Sequence, residues 1–250
     1  MADPIDSWTE TFRVRSYDVA PHGRAAIQAL CNYFQEAAGN HAEELGFSRG
    51  AMLERGTAWV LMRLRIAVDR YPEWHHTVTV ETWPSGVDGM YATREFVLRD
   101  ADGDPLARGT SAWAVIDVER RRPTRLPEAL QDIDTPDRPR PIAFDNRRVP
   151  TLDRVERERR FDVRFSDLDL NQHANNVRYI EWALEAAPES VLLHQQPADI
   201  DIQFRAETTF GQAVVTQLQE DGDRFRHRVQ RAGDNRVVAE AMTRWAPADD

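Results

Sequence analysis

Residues 14–38 and 163–187 can be laid over one another without a gap, and no other feature of this 250-residue chain restricts its fold as much. At an offset of 149, Val14, Arg15, Asp18, Ala25, Glu36, Ala37 and Ala38 meet identical residues, Val19 meets Leu168 and Tyr33 meets Trp182. Seven identities in 25 positions gain weight because the same order of elements follows in both halves.

In the first half, Thr11 to Tyr17 alternates like a strand. Ala25 to Leu45 then carries Ile27, Leu30, Cys31, Phe34, Ala38, His41 and Leu45 at helical spacing, with Gly46 as its stop. Ser48 to Arg55 adds a helical turn. Strand patterns follow at Ala58–Val68, Thr77–Thr82, Tyr91–Arg99 and Leu106–Val118, with turns expected at Pro84-Ser85-Gly86 and Asp102-Gly103-Asp104-Pro105. The second half gives a strand near Arg160–Phe165, a polar turn, and a helix from about Asn175 to Ala187 stopped by Pro188. Strand patterns then recur at Ile200–Phe204, Ala213–Glu220, Arg224–Gln230 and Val237–Trp245.

One strand, one long helix and then several antiparallel strands describe a sheet wrapped around a central helix. The expected fold is therefore α+β, a tandem double hotdog. Its N-terminal hotdog spans residues 8–121 and its C-terminal hotdog 159–247. Between them, residues 122–158 hold six of the fourteen prolines without sustained periodicity, which reads as a long ordered connector.

Composition removes several classes of function. A net charge of −10 argues against general nucleic-acid binding. No apolar run approaches the roughly 20 residues a membrane span needs. The acidic start Met1-Ala2-Asp3-Pro4-Ile5-Asp6 lacks the apolar core of a signal peptide, so a soluble cytoplasmic protein is expected. The single cysteine, Cys31, reads as a small buried apolar side chain. His41, His75, His76, His194 and His227 show no metal-ligand spacing, and neither a metal nor an organic cofactor is expected.

The chemistry concentrates in Asp167-Leu168-Asp169-Leu170-Asn171-Gln172-His173, just ahead of the second helix. Asp169, Asn171 and His173 alternate, so an extended turn projects a carboxylate, an amide and an imidazole to one side. The helix start beyond them offers N–H groups that polarise a carbonyl. In the first copy the same positions hold Ala20, His22 and Arg24, which favours one active site, in the second half. An Asn/Asp-rich helix cap is the alternative, and it accounts for Asn175 or Asn176 better than for His173.

The run Asp167 to Tyr179 with Ile180-Glu181-Trp182 resembles the signature of the acyl-acyl carrier protein thioesterases of plant plastids and bacteria. Asn32-Tyr33-Phe34-Gln35-Glu36-Ala37-Ala38-Gly39-Asn40-His41-Ala42 resembles that family's opening helix, and the likeness covers roughly residues 10–246. It implies a double hotdog that hydrolyses fatty acyl thioesters on acyl carrier protein, with the family's Asp, Asn and His falling on Asp169, Asn171 and His173. A family segment Glu-Tyr-Arg-Arg-Glu-Cys falls on Gln203-Phe204-Arg205-Ala206-Glu207-Thr208, which makes Glu207 the fourth catalytic residue. Thr208 stands where the family has Cys, so no Cys–His mechanism operates there. The resulting expectation is a water activated by Glu207 and held by Asn171, with His173 moving protons and Asp169 orienting its ring. Direct attack by Glu207 remains open, as does a surface Glu207 paired with Arg205.

The acyl chain is expected in the first hotdog, with Leu30, Phe34, Met52, Trp59 and Met62 as lining candidates. Between Arg120 and Arg160, twelve Arg stand against eight acidic residues, and Arg121 and Arg122 are the candidates for docking the acidic carrier. Arg147 and Arg148 belong to the same basic stretch, and solvated arginines paired with nearby acids are the alternative. An acyl-coenzyme A thioesterase and a non-catalytic acyl or carrier-protein binding module are the competing functions. The sequence is compatible with a monomer or a homodimer.

Overall fold

The computed structural model describes residues 6–131, 133, 135–144 and 148–248. The chain forms two compact units that divide between residues 145 and 146. In the first, β1 (Trp8–Arg13) precedes α1 (Ile27–Glu44) and the short α2 (Arg49–Glu54). Then come β2 (Thr57–Val68), β3 (Thr77–Asp88), β4 (Tyr91–Arg99), β5 (Pro105–Asp117), β6 (Arg122–Thr124) and α3 (Glu128–Gln131). The strands pair antiparallel in the order β1-β3-β4-β5-β2, and β6 also pairs with β5.

The second unit has β7 (Arg157–Asp162), a one-turn 3-10 helix (Phe165–Asp167), α4 (Asn176–Leu184) and α5 (Glu189–His194). Its remaining strands are β8 (Gln195–Phe204), β9 (Ala213–Asp221), β10 (Arg224–Arg231) and β11 (Val237–Pro247). They pair in the order β7-β9-β10-β11-β8. In each unit the first strand sits at one edge beside the third, and the second strand closes the other side. The repeated sequence is thus matched by a repeated topology, an α+β double hotdog.

Helix α1 buries Ile27, Leu30, Phe34, Ala37, Ala38 and His41, so apolar contacts surround most of it. Asn32, Glu36, Gly39 and Glu43 are exposed at helical spacing, so a single polar stripe is left facing outward beside a wider buried face. Its end follows the expected stop: Gly46 has φ +76°, and the N–H groups of Gly46 and Phe47 bond back to Glu43 and Ala42. Gly109 on β5 faces the Phe34 ring so closely that it leaves no room for a Cβ. Phe34 is itself stacked on Phe96, with centroids 4.7 Å apart.

Several boundaries differ from the sequence reading, for local reasons. β3 does not turn at Pro84-Ser85-Gly86 but bulges there and runs on to Asp88. A bulge accommodates the missing N–H of Pro84, and the turn falls at Gly89 instead, where φ is +61°. The second unit's helix stops at Leu184, short of the expected Ala187, and Pro188 caps a separate helix α5. The expected connector also divides. Leu126, Leu130 and Ile133 pack on the cluster of Phe47, Met52 and Val115 in the first unit. Leu152 is buried, and the Asp153 N–H reaches the Gln219 side chain of the second. Residues 132, 134 and 145–147, among them Arg147, lie outside the described residues. None of the described helices is long and apolar enough to cross a membrane.

Two stability tests follow. A Cβ at Gly109 would stand 2.6 Å from Phe34 Cε2, inside a ring that neighbours hold fixed. Gly109→Ala is expected to lower the free energy of unfolding by about 1–3 kcal/mol, read by urea titration. His227 is fully buried, bonded to the Thr243 hydroxyl at 2.8 Å, and burial lowers its pKa to about 4. An unfolded His titrates near 6.5, so between those values the unfolded chain binds the extra proton. Stability should therefore fall as pH drops from about 6.5 to about 4, and His227→Asn should flatten that slope in melting curves recorded across the range.

Candidate active site

The polar turn before α4 is fixed by the backbone first. The Asp167 carboxylate, only 3% exposed, accepts the Arg164 N–H at 2.7 Å and lies 3.5 Å from Arg178 Nε. The Asp167 carbonyl accepts the Asn175 N–H at 2.8 Å. Asn175 then caps α4, its side-chain oxygen accepting the Val177 N–H at 2.9 Å. These bonds lock the chain between the 3-10 turn and the helix start.

Inside that frame, Asp169 and His173 close a small loop through a 2.8 Å bond from the Asp169 N–H to the His173 carbonyl. The Asp169 carboxylate accepts the N–H of Asn171 at 2.7 Å and that of His173 at 3.4 Å, and the Asn171 amide lies 3.5 Å away. Asp169 thus holds the backbone that carries the imidazole. Gln172, at the loop's apex, has φ +62°. Side-chain-bearing residues adopt this region at a cost of about 1 kcal/mol or more.

The carboxylate beside the imidazole is that of Glu207: its Oε2 stands 3.3 Å from His173 Nδ1, with the two side chains 40% and 32% exposed. Glu207 arrives from the segment after β8, which is stitched to the turn by the Ala174 N–H on the Thr208 carbonyl at 2.9 Å. Tyr179 of α4 completes the stitch, since its hydroxyl accepts the Thr208 N–H at 2.8 Å and lies 2.9 Å from the Thr208 hydroxyl. Burial, the largest effect, raises the Tyr179 pKa, so the phenol stays neutral and keeps its proton to donate. Thr208 has no exposure, so its side chain serves packing and positioning. Arg231 holds the Glu207 carbonyl at 3.3 Å.

The first unit carries the same turn with other side chains. Asp18 accepts the Arg15 N–H at 2.9 Å, and its carbonyl accepts the Ala26 N–H at 2.8 Å. Ala20 donates to the Arg24 carbonyl at 2.8 Å, as Asp169 does to that of His173. At the apex stands Gly23, φ +80°, where the second unit has Gln172. Arg24, opposite His173, makes a 4.0 Å ion pair with Glu73, and α1 lacks a side-chain cap at Ala26. A cation paired with an acid replaces an imidazole beside an acid.

A separate cavity of about 410 Å³ lies within the first unit, lined among others by Ala38, Trp59, Val87, Arg94, Trp113 and Leu130. Of the five expected lining residues, Trp59 is on its wall. Leu30, Phe34 and Met52 are buried in the core at 1% exposure or less, and Met62 is half-buried at the bulge of β2. Arg94 is held by His41 Nδ1 at 3.0 Å and the Thr82 hydroxyl at 3.2 Å, and burial lowers its pKa to about 10. Arg121 and Arg122 are exposed on the β5–β6 turn, where Arg121 has φ +50°. Among the described residues, no group of three or more His, Cys, Asp or Glu is placed to hold a metal ion.

Residues 6–133 match the model of the acyl-ACP thioesterase N-terminal domain and residues 151–247 that of its C-terminal domain. The chain belongs to the acyl-ACP thioesterase family. The palmitoyl-acyl carrier protein thioesterase of Cuphea hookeriana is 31% identical over 259 residues, covering 95% of this chain and 62% of that protein. The chain thus spans about three fifths of that relative's length. The dodecanoyl-[acyl-carrier-protein] hydrolase of Cinnamomum camphora is 32% identical over 258 residues, covering 95% of this chain and 67% of that protein. Among solved structures, an acyl-ACP thioesterase from Bacteroides thetaiotaomicron superposes with a TM-score of 0.87 at 27% identity, covering 98% of this chain and all of that one. The 12:0-ACP thioesterase of Umbellularia californica gives 0.84 at 29% identity, covering 97% and 94%.

In this acyl-ACP thioesterase-family chain, Tyr179 and Asp167 are the residues whose roles sequence reasoning missed. Both lie in the run that resembles the family signature, and Asp167 also matches Asp18 across the repeat, but neither signal assigned them a role. Tyr179→Phe would leave the buried Thr208 N–H without its acceptor, at a cost of about 1–3 kcal/mol. The variant should melt at a lower temperature by calorimetry.

Proposed function

We propose that this chain hydrolyses fatty acyl thioesters carried on acyl carrier protein, with Glu207 as general base. The reading rests on the 3.3 Å approach of Glu207 to His173 beside a capped helix start. Glu207 takes a proton from water as the water oxygen attacks the thioester carbonyl carbon. Asn171 helps hold that water, and the positive end of the α4 dipole favours the developing oxyanion. Collapse of the intermediate breaks the C–S bond; His173 gives the departing sulfur a proton and is recharged with the one that Glu207 took from water, across the 3.3 Å between them. Asp169 keeps Asn171 and His173 in register through their backbone N–H groups. The names of the relatives, palmitoyl and dodecanoyl carrier-protein thioesterases, support a fatty acyl substrate. The apolar walls of the first unit's cavity, Trp59, Trp113 and Leu130 among them, suit an alkyl chain. Water is the one co-reactant the hydrolysis consumes, and we place the reaction in the cytoplasm, on intermediates of fatty acid synthesis.

Thiol release from acyl carrier substrates of several chain lengths, with the coenzyme A thioesters run in parallel, tests the reading. Wild type should turn over the carrier substrates, and Glu207→Gln should lower kcat by about 10²–10⁴-fold with the circular dichroism spectrum unchanged. Wild type without turnover on any thioester points to a binding module, and turnover of coenzyme A esters alone to the other hydrolase.

A further inference from the structure

Three large apolar side chains stand in solvent around the reactive pair. Phe165, Leu170 and Phe210 are 78%, 84% and 63% exposed. Phe165 opens the 3-10 turn that ends at Asp167, Leu170 lies between Asp169 and Asn171, and Phe210 is three residues past Glu207. The rings of Phe165 and Phe210 meet edge to face with centroids 6.3 Å apart, so they form one surface rather than scattered single residues. Apolar surface gathered beside polar residues marks a place where something binds.

Comparison of the two turns ties this surface to the chemistry. Ser16 and Pro21 of the first unit occupy the places of Phe165 and Leu170, on the same backbone but beside Arg24 and Glu73 instead of His173 and Glu207. The first turn exposes aromatics of its own, Tyr17 at 72% and Trp74 at 50%, so what the second turn adds is Phe165 and Leu170 at these two places, beside the imidazole and its carboxylate. Just ahead of it in the chain, the side chains of Arg160 and Arg164 are 64% and 71% exposed, with Asp162 4.0 Å from Arg160 and the buried Asp167 3.8 Å from Arg164 as counter-charges. A half-exposed reactive pair cannot draw in a thioester borne on another protein unless that protein settles beside it. An acidic partner with an apolar helix face fits aromatic anchors rimmed by guanidinium groups.

We propose that Phe165, Leu170 and Phe210, flanked by Arg160 and Arg164, form the surface on which the acidic acyl carrier protein docks to present its thioester to His173 and Glu207. The assignment rests on the hydrolase reading, and it puts docking in the second unit instead of at Arg121 and Arg122. The test compares wild type, Phe165→Ser/Phe210→Ser, Arg160→Glu and Arg121→Glu/Arg122→Glu. Each is assayed with one acyl group on acyl carrier protein and on N-acetylcysteamine, a small thioester with no protein attached. Binding of fluorescently labelled holo-carrier protein is measured separately by anisotropy.

The aromatic double variant should raise KM for the carrier substrate and Kd for the carrier about tenfold, and Arg160→Glu about threefold. On the small thioester both should stay within about twofold of wild type. Unchanged carrier kinetics, equal losses on both substrates, or an effect confined to Arg121→Glu/Arg122→Glu overturns the assignment. So does a dimer-to-monomer shift in sedimentation without a change in KM, which would give the surface to a second copy of the chain. Carrier binding that depends on these aromatics in a wild type without turnover would uphold the docking surface and sink the hydrolase reading alone.

Discussion

A carboxylate that accepts a backbone N–H three residues earlier in the chain is the constraint on which each unit is built. Asp18 does this for Arg15 and Asp167 for Arg164, and in both cases the same residue's carbonyl receives the first N–H of the following helix segment. Hydrogen bonds to a charged group are worth about 1.5–3 kcal/mol, roughly twice a neutral one. They fix where the first strand ends and how the helix enters, and thus which way the residues two and six positions further on face. Asp167 is additionally neutralised by Arg178 from the helix it helps to start, whereas Asp18 accepts the hydroxyl of Tyr33 at 2.8 Å. The same geometry is satisfied by an ion in one unit and a phenol in the other.

What the sequence disclosed depended on how local the cause was. Helix α1 was legible because its apolar positions recur at 3.6-residue spacing and Gly46 ends it. The succession of elements along the second half followed once both halves were recognised as copies. Pro84 misled because a proline in a strand marks a bulge as readily as a turn, and the choice is made by pairing with β4. Leu30, Phe34 and Met52 lie in the packed core, off the cavity wall, because apolar periodicity finds side chains that fill space. A cavity instead opens where side chains are too small to fill it, as at Ala38, Gly39 and Ala42.

The site was legible in part. Alternation of Asp169, Asn171 and His173 marks a polar turn from residues alone, but Glu207 is a single acid after a strand, 34 residues beyond His173, and only family likeness singled it out. The role of Tyr179 was hidden altogether, because its work is a tertiary bond to Thr208, and no spacing rule joins residues 29 apart. Thr208 makes two bonds to the phenol, one from its backbone N–H and one through its hydroxyl, and they hold the segment that carries Glu207.

The turn's backbone is the same whether it carries His173 or Arg24, down to a left-handed apex at Gln172 or Gly23. Chemistry in this architecture is therefore a matter of a few side chains written on a loop that folds with or without them. A descendant that lost catalysis would keep its shape, and superposition alone would not tell a working enzyme from a retired one.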